Sequence, residues 1–258
     1  MMTNPSVEHP IEYGDAFYRH LIWIYNIRIS LPQEDIFQFS DDVSVAFRWP
    51  RLHPWIVPAF SFLFFGNLYI PTGHVFGSNT SAQNFEPIAK ARTLLAQHIF
   101  QNEDCEQLLT KYAYLINEVE FSPVSSDMGD LVKAKPCPLY QGITSSDGSL
   151  KSQPFIMFVD DNLMADTRSN MKHYMAASME ALFRTISHDK PELRRSNISI
   201  EKYFSLTVSH IRIQLGLEID TRTMRVSLPI SKQHDLVNIL KHWHSCRNVF
   251  QSKKLVLY

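Results

Sequence analysis

The chain predicts an α+β fold built on a split β-α-β-β-α-β sheet, and three patterns in its 258 residues carry that expectation. The run from Pro154 to Val159 is continuously apolar, as a strand buried on both faces is. After it, Met171, Tyr174, Met175, Met179, Leu182, Phe183 and Ile186 recur at helical spacing. Earlier in the chain, Ile36 to Ser40 alternates as a short strand does and runs into Asp41-Asp42.

The other elements follow in order. Phe17, Leu21, Ile24, Tyr25 and Ile27 place a helix between Tyr13 and Ile29, stopped by Leu31-Pro32. Ala59 to Phe65 and Leu68 to Ile70 flank Gly66-Asn67, a hairpin signal. A polar loop then leads into a helix with an apolar stripe of Phe85, Ile88, Ala91, Leu95 and Ile99. Cys105, Leu108, Leu109, Tyr112 and Ile116 mark a second helix, and residues 121–153 read as a long loop or insertion. Asp160-Asp161-Asn162 predicts a turn from which Leu163 to Ala165 returns. Leu206 to Ile219 reads as one or two strands, and Ser231 to Trp243 as a last amphipathic helix. With the extra hairpin set aside, strand and helix alternate in the order of the ferredoxin-like sheet. That order hosts many functions and decides none.

Composition narrows the classes. A net charge of −1 lacks the basic excess of a free-standing nucleic-acid binder, although acids at a metal site can offset a basic groove. Cys105, Cys137 and Cys246 have no paired spacing, which argues against a disulfide framework or a zinc site. Met1 to Pro10 is polar, and the longest apolar stretch, Trp55 to Phe65, is interrupted by Pro58 and Ser61. The expectation is a soluble intracellular protein, cytoplasmic or nuclear, with no membrane partner.

The carboxylates carry the chemistry. Asp42 ends the first strand of the split sheet, and Asp160-Asp161 sits at the tip of its central hairpin. Those two strands are neighbours in such a sheet, so the acids converge on one edge. Gathered carboxylates repel unless cations stand between them, and Mg²⁺ suits a few carboxylates plus substrate phosphates. The plainer reading is turn chemistry, since Asp and Asn favour turns anyway.

Four boxes resemble those of reverse transcriptases. Phe158-Val159-Asp160-Asp161 looks like the aromatic-x-Asp-Asp box, and Asp42-Val43-Ser44-Val45-Ala46-Phe47 like the first catalytic box. Phe76-Gly77-Ser78-Asn79-Thr80-Ser81-Ala82-Gln83-Asn84-Phe85 resembles the box that opens a helix behind the nucleotide, with Ala82 where Pro is usual. Leu215-Gly216-Leu217 is similar to the primer-grip Leu-Gly box, and Glu201-Lys202 precedes it.

The resemblance spans roughly residues 35–245. It implies a retrotransposon RNA-directed DNA polymerase with a ferredoxin-like palm. Asp42, Asp160 and Asp161 would be catalytic, holding two Mg²⁺ (or Mn²⁺) ions with the backbone of Val43. Ala46, Phe47, Phe76, Gly77 and Lys202 would meet the nucleotide, with Phe47 as a steric gate against a ribose 2′-hydroxyl. For Phe47 the alternative is an ordinary core aromatic, and for Lys202 a solvated surface lysine. Leu215, Gly216 and Arg48 would meet primer or template. The partners implied are an RNA template, a DNA primer and a deoxynucleoside triphosphate.

The same resemblance divides the chain into a helical remnant of fingers (1–34), the palm (35–228, with an insertion at about 102–153) and the start of a thumb (229–258). Only about 40 residues precede Asp42, too few for full fingers, so the expectation is a piece of a longer polyprotein. A catalytically inactive relic, or an interaction domain that kept the palm fold, is the alternative.

Overall fold

The computed structural model describes residues 15–74, 81–123, 154–186, 197–205 and 207–250. The first half holds α1 (Ala16–Ser30), β1 (Ile36–Asp42), a 3-10 turn at Ala46–Arg48, α2 (Val57–Phe60), β2 (Phe62–Phe64), β3 (Asn67–Tyr69), α3 (Ser81–Asn102), α4 (Cys105–Lys111) and α5 (Ala113–Ile116). The second half holds β4 (Phe155–Phe158), β5 (Asp161–Thr167), α6 (Arg168–Ile186), α7 (Ile200–Ser205), β6 (Ile211–Gln214), β7 (Leu217–Asp220), β8 (Arg225–Ser227) and α8 (Ile230–Phe250).

These elements make a mixed α and β architecture with small antiparallel sheets. The central one has the order β1-β5-β4, with β2-β3 and β6-β7-β8 as separate sheets. The sequence predicts that the strand after α6 joins the central sheet. Instead the chain touches β1 through one antiparallel bridge, Gln38 to Ser209, and β6 then turns away to pair with β7. The Gln38 amide fixes that divergence by donating to the carbonyls of His210 and Ile219.

Side chains alternate across a strand, so β1 serves two environments. Phe37, Phe39 and Asp41 face α3 and α6, where the main apolar core lies. Ile36, Gln38, Ser40 and Asp42 face the other way, towards α1 and the β6–β8 sheet, with Lys202 of α7 reaching Asp42 at the strand's end. There a smaller core of Ile24, Ile27, Ile36, Ala165 and Ile219 forms.

Helix α6 is buried nearly all round, because the sheet, α3 and α4 each take a face of it. Ala176, Ala177 and Ala181 allow that close approach. Glu180 ties α6 to α4 by accepting from the Tyr112 hydroxyl at 2.5 Å and the Lys111 ammonium at 2.6 Å. Leu108, Tyr112, Leu115 and Ile116 belong to the main core, so α4 and α5 pack as part of it.

Several local expectations need correction. The buried line of α3 is Phe85, Ala89, Arg92, Ala96 and Ile99, with Ala91 exposed. An arginine enters the stripe because a carboxylate awaits it. In α1 the buried line includes His20 and Arg28, while Phe17 and Leu21 lie at the margin. Arg28 is held there by the carbonyls of Pro32, Glu34 and Thr221.

The first hairpin turns at Phe65-Gly66, not Gly66-Asn67. Both turn residues have positive φ (47° and 74°), the backbone that a tight two-residue connection between twisted strands needs. Residues Ala59 and Phe60 belong to α2, not to the strand. The central hairpin turns at Val159-Asp160, and Asp161 and Asn162 are already in β5, paired with Phe158 and Met157.

Candidate active site

Strand β1 ends where β5 begins, and the register sets Asp42 directly opposite Asp161. Asp160 occupies the two-residue turn before Asp161, and its carbonyl accepts from the Val43 N–H at 3.2 Å. The backbones carrying all three acids are therefore tied together at one end of the sheet. Val159 adopts φ 58°, a left-handed conformation that costs a β-branched residue about 1–2 kcal/mol.

The electrostatics at this edge are unbalanced. Burial first, and then the Asp42 charge, push the Asp160 carboxyl up to about 6. The same two causes, in the same order, raise Asp161. Asp42 Oδ1 is buried with no hydrogen-bond partner, whereas Oδ2 accepts from the Lys202 ammonium. That hydrogen bond is the largest of the effects that raise the lysine pKa.

Lys202 reaches Asp42 because α7 is anchored to the end of β1. The Ser199 N–H donates to the Asp42 carbonyl at 3.1 Å, the Ser44 N–H to the Asn197 carbonyl at 3.0 Å, and Tyr203 packs edge-on against Phe39. A second cation, Arg212, is nearly buried near Asp161, donating to the Thr207 carbonyl and Ser40 Oγ. Burial lowers its pKa to about 10, against the pull of Asp161. Among the described residues, no group of three or more His, Cys, Asp or Glu is arranged as a ready-made metal cage.

The other residues singled out in the sequence divide between this edge and elsewhere. Val43 and Ala46 are buried just beyond Asp42. Phe47 is half-buried in the 3-10 turn, edge-on to Phe85 of α3 with ring centroids 6.3 Å apart. Trp49 closes the turn by donating from Nε1 to the Ser44 carbonyl at 2.8 Å. Arg48 is exposed, and the chain passes so near it that a Cβ on Gly73 would sit 2.5 Å from the Arg48 carbonyl oxygen. Leu215 and Gly216 form the β6–β7 turn, with φ 49° and 82°, and Lys232 caps the Gly216 carbonyl. They belong to the β6–β8 sheet and not to the β1–β5 edge. Phe76 and Gly77, like residues 124–153, lie outside the described residues.

Sequence reasoning missed the groups directly behind the acids. Asp41, Asn162, Arg92 and Ser178 form a closed polar cluster on the helix-facing side. The available signal was Arg92 itself, which stands at the stripe position between Ala89 and Ala96. No described helix is long and apolar enough to cross a membrane. Compared with protein-family models, curated proteins and solved structures, the chain matches none.

Proposed function

We propose that this chain is the palm of an RNA-directed DNA polymerase of the reverse-transcriptase type, a ferredoxin-like sheet whose acidic edge performs nucleotidyl transfer. The observation that carries the reading is the pairing of Asp42 with Asp161, Asp160 beside them, and a buried Asp42 oxygen left without a donor. An orphaned carboxylate oxygen among mutually repelling acids fits a hard cation. Asp42 and Asp160 would hold Mg²⁺, or Mn²⁺ in its place, with Asp161 and the Val43 backbone adjacent.

Two divalent ions at such a site activate an attacking oxygen and stabilise a leaving one. The reaction joins a primer 3′-oxygen to the α-phosphorus of a deoxynucleoside triphosphate and releases pyrophosphate. The protein's share is positioning and charge. Phe47, fixed against Phe85, would fill the space of a ribose 2′-hydroxyl. Ala46, Phe76 and Gly77 would complete the nucleotide pocket. Lys202 holds its proton beside the acids, suited to meet a triphosphate. Arg48, Leu215 and Gly216 would contact the DNA primer and RNA template.

One observation favours a second reading, a chain that keeps this fold without catalysis. The Lys202 ammonium already pairs with Asp42, where a metal cation would sit. Primer extension on an RNA template with Mg²⁺ or Mn²⁺ separates the two, with Asp160→Asn beside the wild type. Extension that vanishes in the variant supports the polymerase. A folded wild-type chain that adds no nucleotide supports the inactive reading.

A further inference from the structure

Behind the acidic edge, each acid's neighbour is held by the same small group of atoms. Asp41 and Asn162 are cross-strand partners, one residue before Asp42 and one after Asp161. Arg92 Nη2, from the middle of α3, donates to Asp41 Oδ1 at 2.5 Å and to Ser178 Oγ at 2.7 Å. Ser178, from the middle of α6, donates to Asp41 Oδ2 at 2.9 Å. Asn162 Nδ2 donates to Ser178 Oγ at 2.8 Å and to Asp41 Oδ2 at 3.3 Å. Arg92 Nη1 also lies 3.7 Å from Met157 Sδ on β4. None of the four polar residues is more than 2% exposed.

A buried ion pair contributes little net stability, because desolvation cancels much of the attraction, and apolar replacements of similar volume often fold as well or better. What a closed set of directional bonds supplies is geometry. The β1–β5 ladder ends at the Asp42–Asp161 pair, one residue beyond this cluster. Bonding Asp41 to Asn162 through one hydroxyl fixes the two backbones at that level. Side chains alternate, so the same fixation aims Asp42 and Asp161 on the opposite face. The guanidinium adds α3 and β4 to the assembly, and α3 is the helix that carries Phe85 and so seats Phe47.

We infer that Arg92 and Ser178 are positioning residues for the acidic edge, acting through Asp41 and Asn162 to aim the Asp42 carboxylate and to hold the turn that brings Asp160 beside it, as a shared divalent cation requires. This rests on the polymerase reading. Partners that orient metal-binding side chains from behind typically affect metal affinity by about 10–100-fold.

Mn²⁺ binding to the purified chain, followed by electron paramagnetic resonance and calorimetry, reads the effect without any need for turnover. Ser178→Ala removes the bridging hydroxyl, and the double variant Asp41→Leu with Arg92→Met removes the charges while keeping the volume filled. Both are expected to bind Mn²⁺ about tenfold more weakly than the wild type, with Ser178→Ala melting within a few degrees of it. Where extension is measured, turnover should fall while the KM for nucleotide stays. A purely structural role predicts the reverse, with Mn²⁺ affinity unchanged in any variant that folds. Wild-type affinity in Ser178→Ala overturns the inference alone. A folded wild-type chain that binds no Mn²⁺ overturns the polymerase reading and this inference with it.

Discussion

Asp41 and Asp42 follow one another on β1, and their cross-strand partners Asn162 and Asp161 follow one another on β5, yet the two pairs live in opposite conditions. On the helix side, both oxygens of Asp41 are engaged, by a guanidinium, a hydroxyl and an amide. On the other side, Asp42 faces two further carboxylates with one lysine and keeps a buried oxygen unbonded. Chain position and residue type are nearly the same. The partners differ. A carboxylate with all its bonds made is a structural element, and one with bonds left over is open to a ligand.

The contrast can be broken from either side. Arg92→Met alone should leave Asp41 charged, buried and uncompensated, and cost about 3–5 kcal/mol of folding stability, read by urea unfolding. Asp160→Asn should do the opposite to the protein while crippling its chemistry. Nucleotide incorporation is expected to drop by about 10²–10³-fold, as when a preorganised charge stabiliser is lost. In magnesium-free buffer at pH 7.5 the same variant should melt above the wild type, because a like-charge neighbour of Asp42 is gone.

Acidity sharpens the second of these. The Asp160 carboxyl titrates near 6 in the folded chain, above its ordinary value of 3.8. Its contribution to stability is therefore complete below about pH 4 and is lost as pH rises through about 6. The melting-temperature gap between Asp160→Asn and the wild type should accordingly be small near pH 4 and widen up to pH 7. Added Mg²⁺ should close it by stabilising the wild type at pH 7–8 and not at pH 5. A gap that ignores pH would show that the acids do not repel one another as described. The smallest effect is at the turn between them. Val159→Gly relieves the left-handed strain but loosens the unfolded chain and removes a side chain packed against the main core, so the melting temperature should change by only about a degree or two.

How much of this was legible in the sequence follows from which forces are local. The acids and the central strands could be read because apolar runs and Asp pairs declare themselves over a few residues. The turn at Val159-Asp160 fell one residue earlier than turn chemistry suggests. Propensity favours Asp160-Asp161-Asn162 there, and cross-strand pairing of Asp161 and Asn162 with Phe158 and Met157 overrides it. Arg92 stood out only as a charge at a stripe position, and its role stayed hidden because its partner lies in a distant element. For Arg92 that partner is 51 positions away. The separation of the β6–β8 sheet from β1 was equally hidden, since it depends on the Gln38 amide reaching two carbonyls across the fold.

The hairpin β2–β3 has a practical consequence. Phe62, Leu63, Phe64, Leu68 and Tyr69 are exposed, and Phe65 at its tip is 88% exposed. No charged side chain interrupts Phe62 to Tyr69, and the whole chain carries a net charge of only −1. Two strand edges left unpaired among the described residues, with little colloidal repulsion behind them, favour edge-to-edge stacking of one molecule on another as concentration rises. Light scattering of the purified chain should therefore climb steeply with concentration, and replacing Leu63 with lysine should flatten that rise without touching the acids.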